Sequence, residues 1–160
     1  MLDEFQEVNK QPLAPTRQSP NEIKWSPPQS SHYKVNVDGV VFSKRKQVGI
    51  RVIIRDSEGM VIVALSRKLA LPLGVLETEA KVMEVGVQFA LDVRVRDVTL
   101  EGDLLRICNA LQGLGEASSS VHNIVVGTLH LAKGFRNVAF HIQKGRQMCQ
   151  PTCWPNMQLM

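Results

Sequence analysis

Cysteine is scarce: the chain has three, Cys108, Cys149 and Cys153, in 160 residues. An odd, small set gives no disulfide framework, and the acidic start Met1-Leu-Asp-Glu-Phe-Gln-Glu7 lacks the apolar core of a secretion signal. Long hydrophobic runs are missing as well. No stretch approaches the roughly 18 apolar residues that a membrane span needs. Charge of one sign is only slightly in excess, with Lys and Arg 19 against Asp and Glu 15, net +4. That permits a polyanionic partner without requiring one. These absences give the expectation of an intracellular protein, nuclear or cytoplasmic, neither secreted nor membrane-bound. Hydrophobic residues reach 44%, enough for a real core, and the length suits one domain with tails.

Residues 1–31 are polar and carry Pro12, Pro15, Pro20, Pro27 and Pro28. Proline fixes φ and removes a donor, so this reads as an extended linker. Trp25, alone before two prolines, is expected to tuck against the domain edge; a recognition role is the other reading. The pattern then changes. Over 32–42, Tyr33, Val35 and Val37 alternate with Lys34, Asn36 and Asp38, which is strand periodicity. Strands are also expected over 48–55 and 60–66, separated by the basic turn 43–47 and the turn Asp56-Ser-Glu-Gly59. Turns this short imply an antiparallel meander.

Helical spacing follows. Leu76, Ala80, Met83, Val87 and Ala90 recur at three- and four-residue steps, with Glu77, Lys81, Glu84 and Gln88 opposite. A short β-rich run over 97–101 after this helix suggests a crossover and a parallel neighbour. A second helix is expected over 103–114, ended by Gly113 and Gly115. A third, N-capped by Ser118-Ser-Ser120, runs through Ile124, Val125, Leu129 and Leu131 and closes at Gly134. Residues 137–142 read as a fifth strand. The order β-β-β-α-β-α-α-β makes an α/β domain over 32–143. Residues 144–160 keep no period and read as a disordered tail.

Three acids stand at informative places. Asp38 interrupts an otherwise apolar strand. Glu79 lies one residue off the apolar stripe of the first helix. Asp103 ends the fourth strand, and strand ends are where open α/β sheets place ligands. Converging carboxylates repel one another unless cations neutralise them, and hard oxygen donors favour magnesium or manganese. Two such ions about 4 Å apart can activate a water and stabilise a leaving oxygen in phosphodiester cleavage. Each acid also has an ordinary alternative. Asp38-Gly39 fits a turn, Glu79 fits an exposed helix position, and Asp103 fits a helix N-cap.

Several motifs occur together and in order: Trp25-Ser-Pro-Pro28, Val35-Asn-Val-Asp-Gly-Val-Val-Phe42, Gly49-Ile-Arg-Val-Ile-Ile-Arg-Asp-Ser-Glu-Gly59, Glu77-Thr-Glu-Ala80 and Val98-Thr-Leu-Glu-Gly-Asp103. Over about residues 25–143 the chain resembles plant ribonuclease H-like domains of the kind found in retroelement-derived reverse transcriptase polyproteins. The resemblance implies a five-stranded mixed sheet, three strands antiparallel and two added in parallel, with helices packed against it. It implies a nucleic-acid-binding, metal-dependent endoribonuclease, monomeric, that cleaves RNA in an RNA–DNA hybrid. Asp38, Glu79 and Asp103 would be catalytic and hold two Mg²⁺ or Mn²⁺ ions. Asp38 would bridge both, Asp103 would face the nucleophile, and Glu79 would face the leaving group near the ribose 2′-hydroxyl that distinguishes RNA from DNA. Asn36, Gly39, Lys44, Arg45 and Lys46 would contact nucleic acid. For the basic trio, a solvated hairpin tip is the plain alternative.

Two departures bear on activity. Leu104 stands where the family usually has Ser. The family's last helix, of the form Asn-x-x-Ala-(His or Asp)-x-Leu-Ala, supplies a fourth site residue and covers part of the sheet, and it is not readable here. Back-translated with degenerate codons, AGR for Arg146, and read two nucleotides on, residues 145–158 permit Asn-Val-Pro-Ala-His-Leu-Leu-Ala. This leads to the expectation of a frameshift or mis-joined gene model between Ile142 and Gly145. Its consequence would be an out-of-frame tail, a missing last helix and exposed apolar sheet surface. The other reading of the tail is a zinc site of His141, Cys149 and Cys153. A catalytically weak or inactive domain that only binds nucleic acid is the alternative function, and a scaffold with no nucleic-acid role is the third.

Overall fold

A computed structural model describes residues 31–143. The expected linker (save Ser31), Trp25, Cys149, Cys153 and the tail over 144–160 lie outside the described residues. Eight regular elements follow the expected order: β1 (Tyr33–Phe42), β2 (Gln47–Arg55), β3 (Val61–Leu69), α1 (Val75–Asp92), β4 (Asp97–Gly102), α2 (Leu105–Leu111), α3 (His122–Ala132) and β5 (Asn137–Ile142). They form one five-stranded sheet in the order β3-β2-β1-β4-β5. The β1–β2 and β2–β3 pairs are antiparallel, and the β1–β4 and β4–β5 pairs are parallel. No helix among the described residues is long and apolar enough to cross a membrane.

The two hairpins close through local chemistry. Lys46 adopts a left-handed φ of 50° to end the short 3₁₀ turn Ser43–Arg45. At the second turn, Asp56 Oδ1 accepts from the N–H groups of Glu58 and Met60, both at 2.9 Å, and Gly59 takes φ 85°. An aspartate that bonds its own backbone downstream is a turn-maker. β3 runs to Leu69, past the expected end at Ser66, because β2 offers partners as far as Val48↔Leu69. Cross-strand pairing sets that length, and local composition does not reveal it.

Alternation on β1 divides the sheet into two faces. Val35, Val37, Ile50, Val52, Ile54 and Leu100 turn towards the helices and are at most 3% exposed. Ala80, Met83, Val87 and Ala90 of α1 meet them, as the helical spacing predicts. Lys34, Asn36 and Asp38 turn to the far face, with Arg51, Arg55 and Glu101 beside them by register. Among the described residues this far face is mixed: polar around Asn36, but with Val40 and Phe42 of β1 exposed on it at 40% and 39%. Lys34 and Asn36 are nonetheless only 6% and 3% exposed.

Close approach of α1 to β1 depends on glycine. A Cβ on Gly86 would stand 2.5 Å from Val37 Cγ1. Val37 is a buried, β-branched strand residue and has no room to yield. Glycine to alanine inside a helix ordinarily gains about 1 kcal/mol, but overpacking a tight core costs ~1–3 kcal/mol. Gly86→Ala is therefore expected to destabilise the fold, lowering Tm by about 4 °C or more. Thermal unfolding followed by circular dichroism checks this, and an unchanged or raised Tm would contradict the packing.

The helix ends differ from expectation in two places. α2 is shorter than 103–114. It closes at Gly113, φ 72°, where Gly113 N–H bonds Ala110 O and Leu114 N–H bonds Asn109 O, the paired bonds of a Schellman cap. The serine N-cap of α3 is not formed. Val121 holds that position with no side-chain cap, while the Ser118 and Ser120 hydroxyls bond each other at 3.2 Å. Val121 is 1% exposed; burying its side chain fixes the helix entry, and this outweighs a surface hydroxyl cap.

At the opposite end of the sheet from Asp103, Asp97 is held by Arg136 and by Asn137 Nδ2 at 2.6 Å. The Arg136 hydrogen bonds, then that of Asn137, keep its carboxyl down at about 2. This cluster ties the start of β4 to β5.

Candidate metal centre

The three acids come from three elements and meet at one end of the sheet. Asp38 is on β1 and projects from the far face. β1 continues through Asp38 and Gly39 to Phe42, which removes the turn reading. Asp103 follows β4 and is not a cap, because α2 is preceded by Leu104 and has no side-chain cap bond. Glu79 is in the first turns of α1, half-buried, which removes the exposed-surface reading. Gly39 lets α1 come close beside it: a Cβ there would stand 3.0 Å from Thr78 Cγ2, with Glu79 Oε1 at an ordinary contact of 3.6 Å.

Proximity is written in the electrostatics. Burial pushes the Glu79 carboxyl up to about 8, helped by the charge of Asp103, a hydrogen bond with Asp103 and the charge of Asp38. Asp38 is also raised, by burial first; Arg51 opposes this, Asp103 adds to it, and a bond from the Gly39 N–H opposes it. Arg51 faces Asp38 directly in the β1–β2 register. A carboxyl that raises the pKa of another stands close to it. Glu79 and Asp103 form a hydrogen-bonded pair, with Asp38 as neighbour to both.

The donor set is all hard oxygen and suits a divalent cation of the magnesium or manganese type. Among the described residues, no three such groups stand converged at chelating distance. The proton held by the raised Glu79 carboxyl relieves part of the repulsion that a cation would neutralise there. The fit is thus one of chemistry and proximity.

The other expected contact residues separate. Asn36 is 3% exposed and its amide is committed at both ends: Nδ2 donates to Glu101 Oε2 at 2.9 Å, and Oδ1 accepts from Arg55 Nη1 at 2.6 Å. Gly39 turns its missing side chain towards α1, where a Cβ would meet Val82 Cγ2 at 2.7 Å. Lys44, Arg45 and Lys46 are exposed at the β1–β2 turn. His141 lies on β5 in register with Glu101, and its proposed zinc partners are outside the described residues.

Arg51, Arg55 and Glu101 went unnoticed in the sequence. Their two- and four-residue spacing was readable, but which strand residue each one faces depends on a register that no local pattern supplies.

Comparison with known proteins agrees with this architecture. A family model described as reverse transcriptase-like matches residues 36–148. No curated protein sequence matches the chain. Among solved structures, ribonuclease H1 of the halophilic archaeon Halobacterium salinarum is 14% identical with a TM-score of 0.65, over 70% of this chain and 85% of that one. The N-terminal ribonuclease H domain of a Mycobacterium tuberculosis protein, solved as a fusion with maltose-binding protein, is 13% identical with a TM-score of 0.63, over 71% and 83%. A ribonuclease H1 in complex with an RNA/DNA hybrid is 16% identical with a TM-score of 0.53, over 69% and 84%. At such identities the likeness is one of fold. The match over most of the described residues, on a sheet and helix order of ribonuclease H type, makes this chain a member of the reverse transcriptase-like family with a ribonuclease H-like domain.

Proposed function

We propose that this chain is a metal-dependent endoribonuclease acting on the RNA strand of an RNA–DNA hybrid. The observation that carries the reading is that Asp38 and Glu79 are both raised, by burial first and each also by Asp103, at one end of the sheet. The hybrid bound to one fold relative supports the substrate class. Asp38, Glu79 and Asp103 would hold Mg²⁺ or Mn²⁺, two ions by resemblance. Bound there, the cations supply the charge that activates a water and steadies the leaving oxygen.

The chain's own residues set the conditions. Below pH about 8 Glu79 keeps its proton, and that proton must leave before three carboxylates act together. Arg51 holds Asp38 towards its charged form. Gly39 lets α1 bring Glu79 over the strand end.

Lys44, Arg45 and Lys46 are proposed to contact backbone phosphate. Replacing all three by alanine is expected to weaken hybrid binding and to reduce the slope of log K against log salt by up to about 2–3. Fluorescence anisotropy across a salt series measures this, and an unaltered slope would leave the trio as a solvated tip.

A second reading has its own support. The family's last helix is unreadable after Ile142, and no three acids stand converged among the described residues. A domain that binds hybrid without cutting it fits both facts. One experiment separates the readings: a labelled RNA–DNA hybrid with Mg²⁺, given the full chain and, beside it, Asp38→Asn. Cleavage lost in the variant supports the enzyme, binding without cleavage supports the second reading, and neither supports a scaffold. The out-of-frame origin of residues 144–160 remains our proposal for the missing helix. Sequencing the transcript through this region tests it, and a frame unable to encode the motif would remove it.

A further inference from the structure

The far face of the sheet carries a chain of side-chain bonds across three strands. Arg55 on β2 donates to Asn36 on β1 at 2.6 Å, and Asn36 donates to Glu101 on β4 at 2.9 Å. Glu101 takes Lys34 on its other oxygen, also at 2.9 Å. The Lys34 and Glu101 side chains are 8% and 14% exposed. Asn36 sits between a group that only donates and a group that only accepts. An amide satisfies both at once, and neither a carboxylate nor an apolar side chain does.

The place of this chain in the sheet gives it meaning. β1 pairs with β4 only from Tyr33↔Val98 to Asn36↔Glu101, whereas its pairing with β2 continues to Phe42↔Gln47. Asn36 and Glu101 are thus the last pair before β1 and β4 part. Asp38 is the next residue of β1 on that face, and Asp103, just past the end of β4, is likewise two beyond its networked neighbour. The Asn36–Glu101 bond is the last cross-strand side-chain tie before the fork whose two prongs carry candidate ligands. Glu101, with both oxygens engaged, is also kept from joining the acids beyond it.

We infer that Asn36 and Glu101 are positioning residues, a strut that fixes the spacing of the β1–β4 fork and so of Asp38 from Asp103. The role in metal binding rests on the function proposed above. Outer partners that orient metal ligands are worth roughly 10–100-fold in metal affinity.

The test uses the full chain with three variants: Asn36→Asp, Arg136→Ala and Asp38→Asn. N36D keeps size and the Arg55 bond but turns the donor facing Glu101 into a like charge. R136A breaks the Asp97 cluster at the opposite end of β4 and serves as the control for general loss of stability. Two readouts are taken: Mn²⁺ affinity by calorimetry, and hydrogen exchange at the amides of Gly102, Asp103 and Leu104. N36D is expected to weaken Mn²⁺ by about 10-fold or more and to speed exchange at those amides. R136A should leave both unchanged at an equal or larger loss of Tm. Asn36→Gln, which keeps donor and acceptor, should recover part of the affinity. If N36D leaves exchange at 102–104 as in the parent, or if R136A moves both readouts as much as N36D, the strut is overturned. If the parent binds no Mn²⁺ and D38N changes nothing, the metal-centre reading falls, and exchange at the fork still decides the strut.

Discussion

Asp38→Asn is expected to lower hydrolysis of the RNA strand of an RNA–DNA hybrid by more than about 100-fold, the upper range seen when even the outer support of a metal ligand is lost. The substitution keeps size and strand propensity while removing the charge. Asp38 stands on a strand continuous to Phe42, paired on one side with β2 throughout. A structural collapse is therefore not the expected cause of the loss. A neutral amide at this position would no longer repel Glu79 and Asp103, so the variant should unfold at a temperature equal to the parent's or higher. Initial rates with saturating Mg²⁺ and Tm measured on the same preparations check both parts. Full activity in the variant would remove Asp38 from the chemistry. Loss of activity with a much lower Tm would move its role to folding.

Glu79→Gln should stabilise the protein at pH 8 without divalent cations, and abolish cleavage. The folded pKa of Glu79 lies above its ordinary 4.5, at about 8. The folded state therefore holds this proton more tightly than the unfolded state does. Below pH 4.5 the group is protonated in both states and costs nothing. As pH rises from 4.5 through 8 the unfolded state loses its proton first, so stability falls across that window. The whole shift corresponds to at most about 5 kcal/mol, and solvent screening of a half-buried site reduces it to about 2 kcal/mol. Glutamine has no charge to desolvate, so the gap between variant and parent should be near zero at pH 4.5 and widen towards pH 8. Added Mg²⁺ should then stabilise the parent more than the variant, because only a complete acid set binds it well and binding favours the folded state. Thermal melts from pH 4.5 to 8.5, with and without Mg²⁺, test the sign. A variant less stable than its parent at pH 8 would contradict the cluster. Function and stability pull apart here: the acids that suit a cation destabilise the chain that carries them.

The element order was legible in the sequence for a physical reason. β1 alternates because one of its faces meets α1, and α1 repeats at three and four because one stripe meets the sheet. Each pattern records burial along a single element. Gly113 was likewise readable as a stop, since a left-handed cap is a local demand on one residue. The places where expectation failed share a cause as well. β3 extends to Leu69 because β2 is there to pair with it. Ser118-Ser-Ser120 does not cap α3 because burying Val121 fixes the entry. Asn36 is bonded to two other strands, a setting that nothing local tells from that of a polar strand residue facing solvent.

The candidate site divides along the same line. Sequence alone determined which acids are available, and motif order determined which family's chemistry to expect of Asp38, Glu79 and Asp103. It could not choose between that chemistry and a turn, an exposed helix position and an N-cap. Tertiary structure removed the turn, exposed-helix and N-cap readings by running β1 through Asp38, starting α2 after Leu104 and half-burying Glu79; the chemistry itself is our proposal. It also set Arg51 beside Asp38 and bonded Asn36 to Arg55 and Glu101. Residue type and period are properties of a segment. Register, facing and the proximity that raises a carboxyl's pKa are properties of pairs of segments far apart in the chain, and these exist only once the sheet has formed.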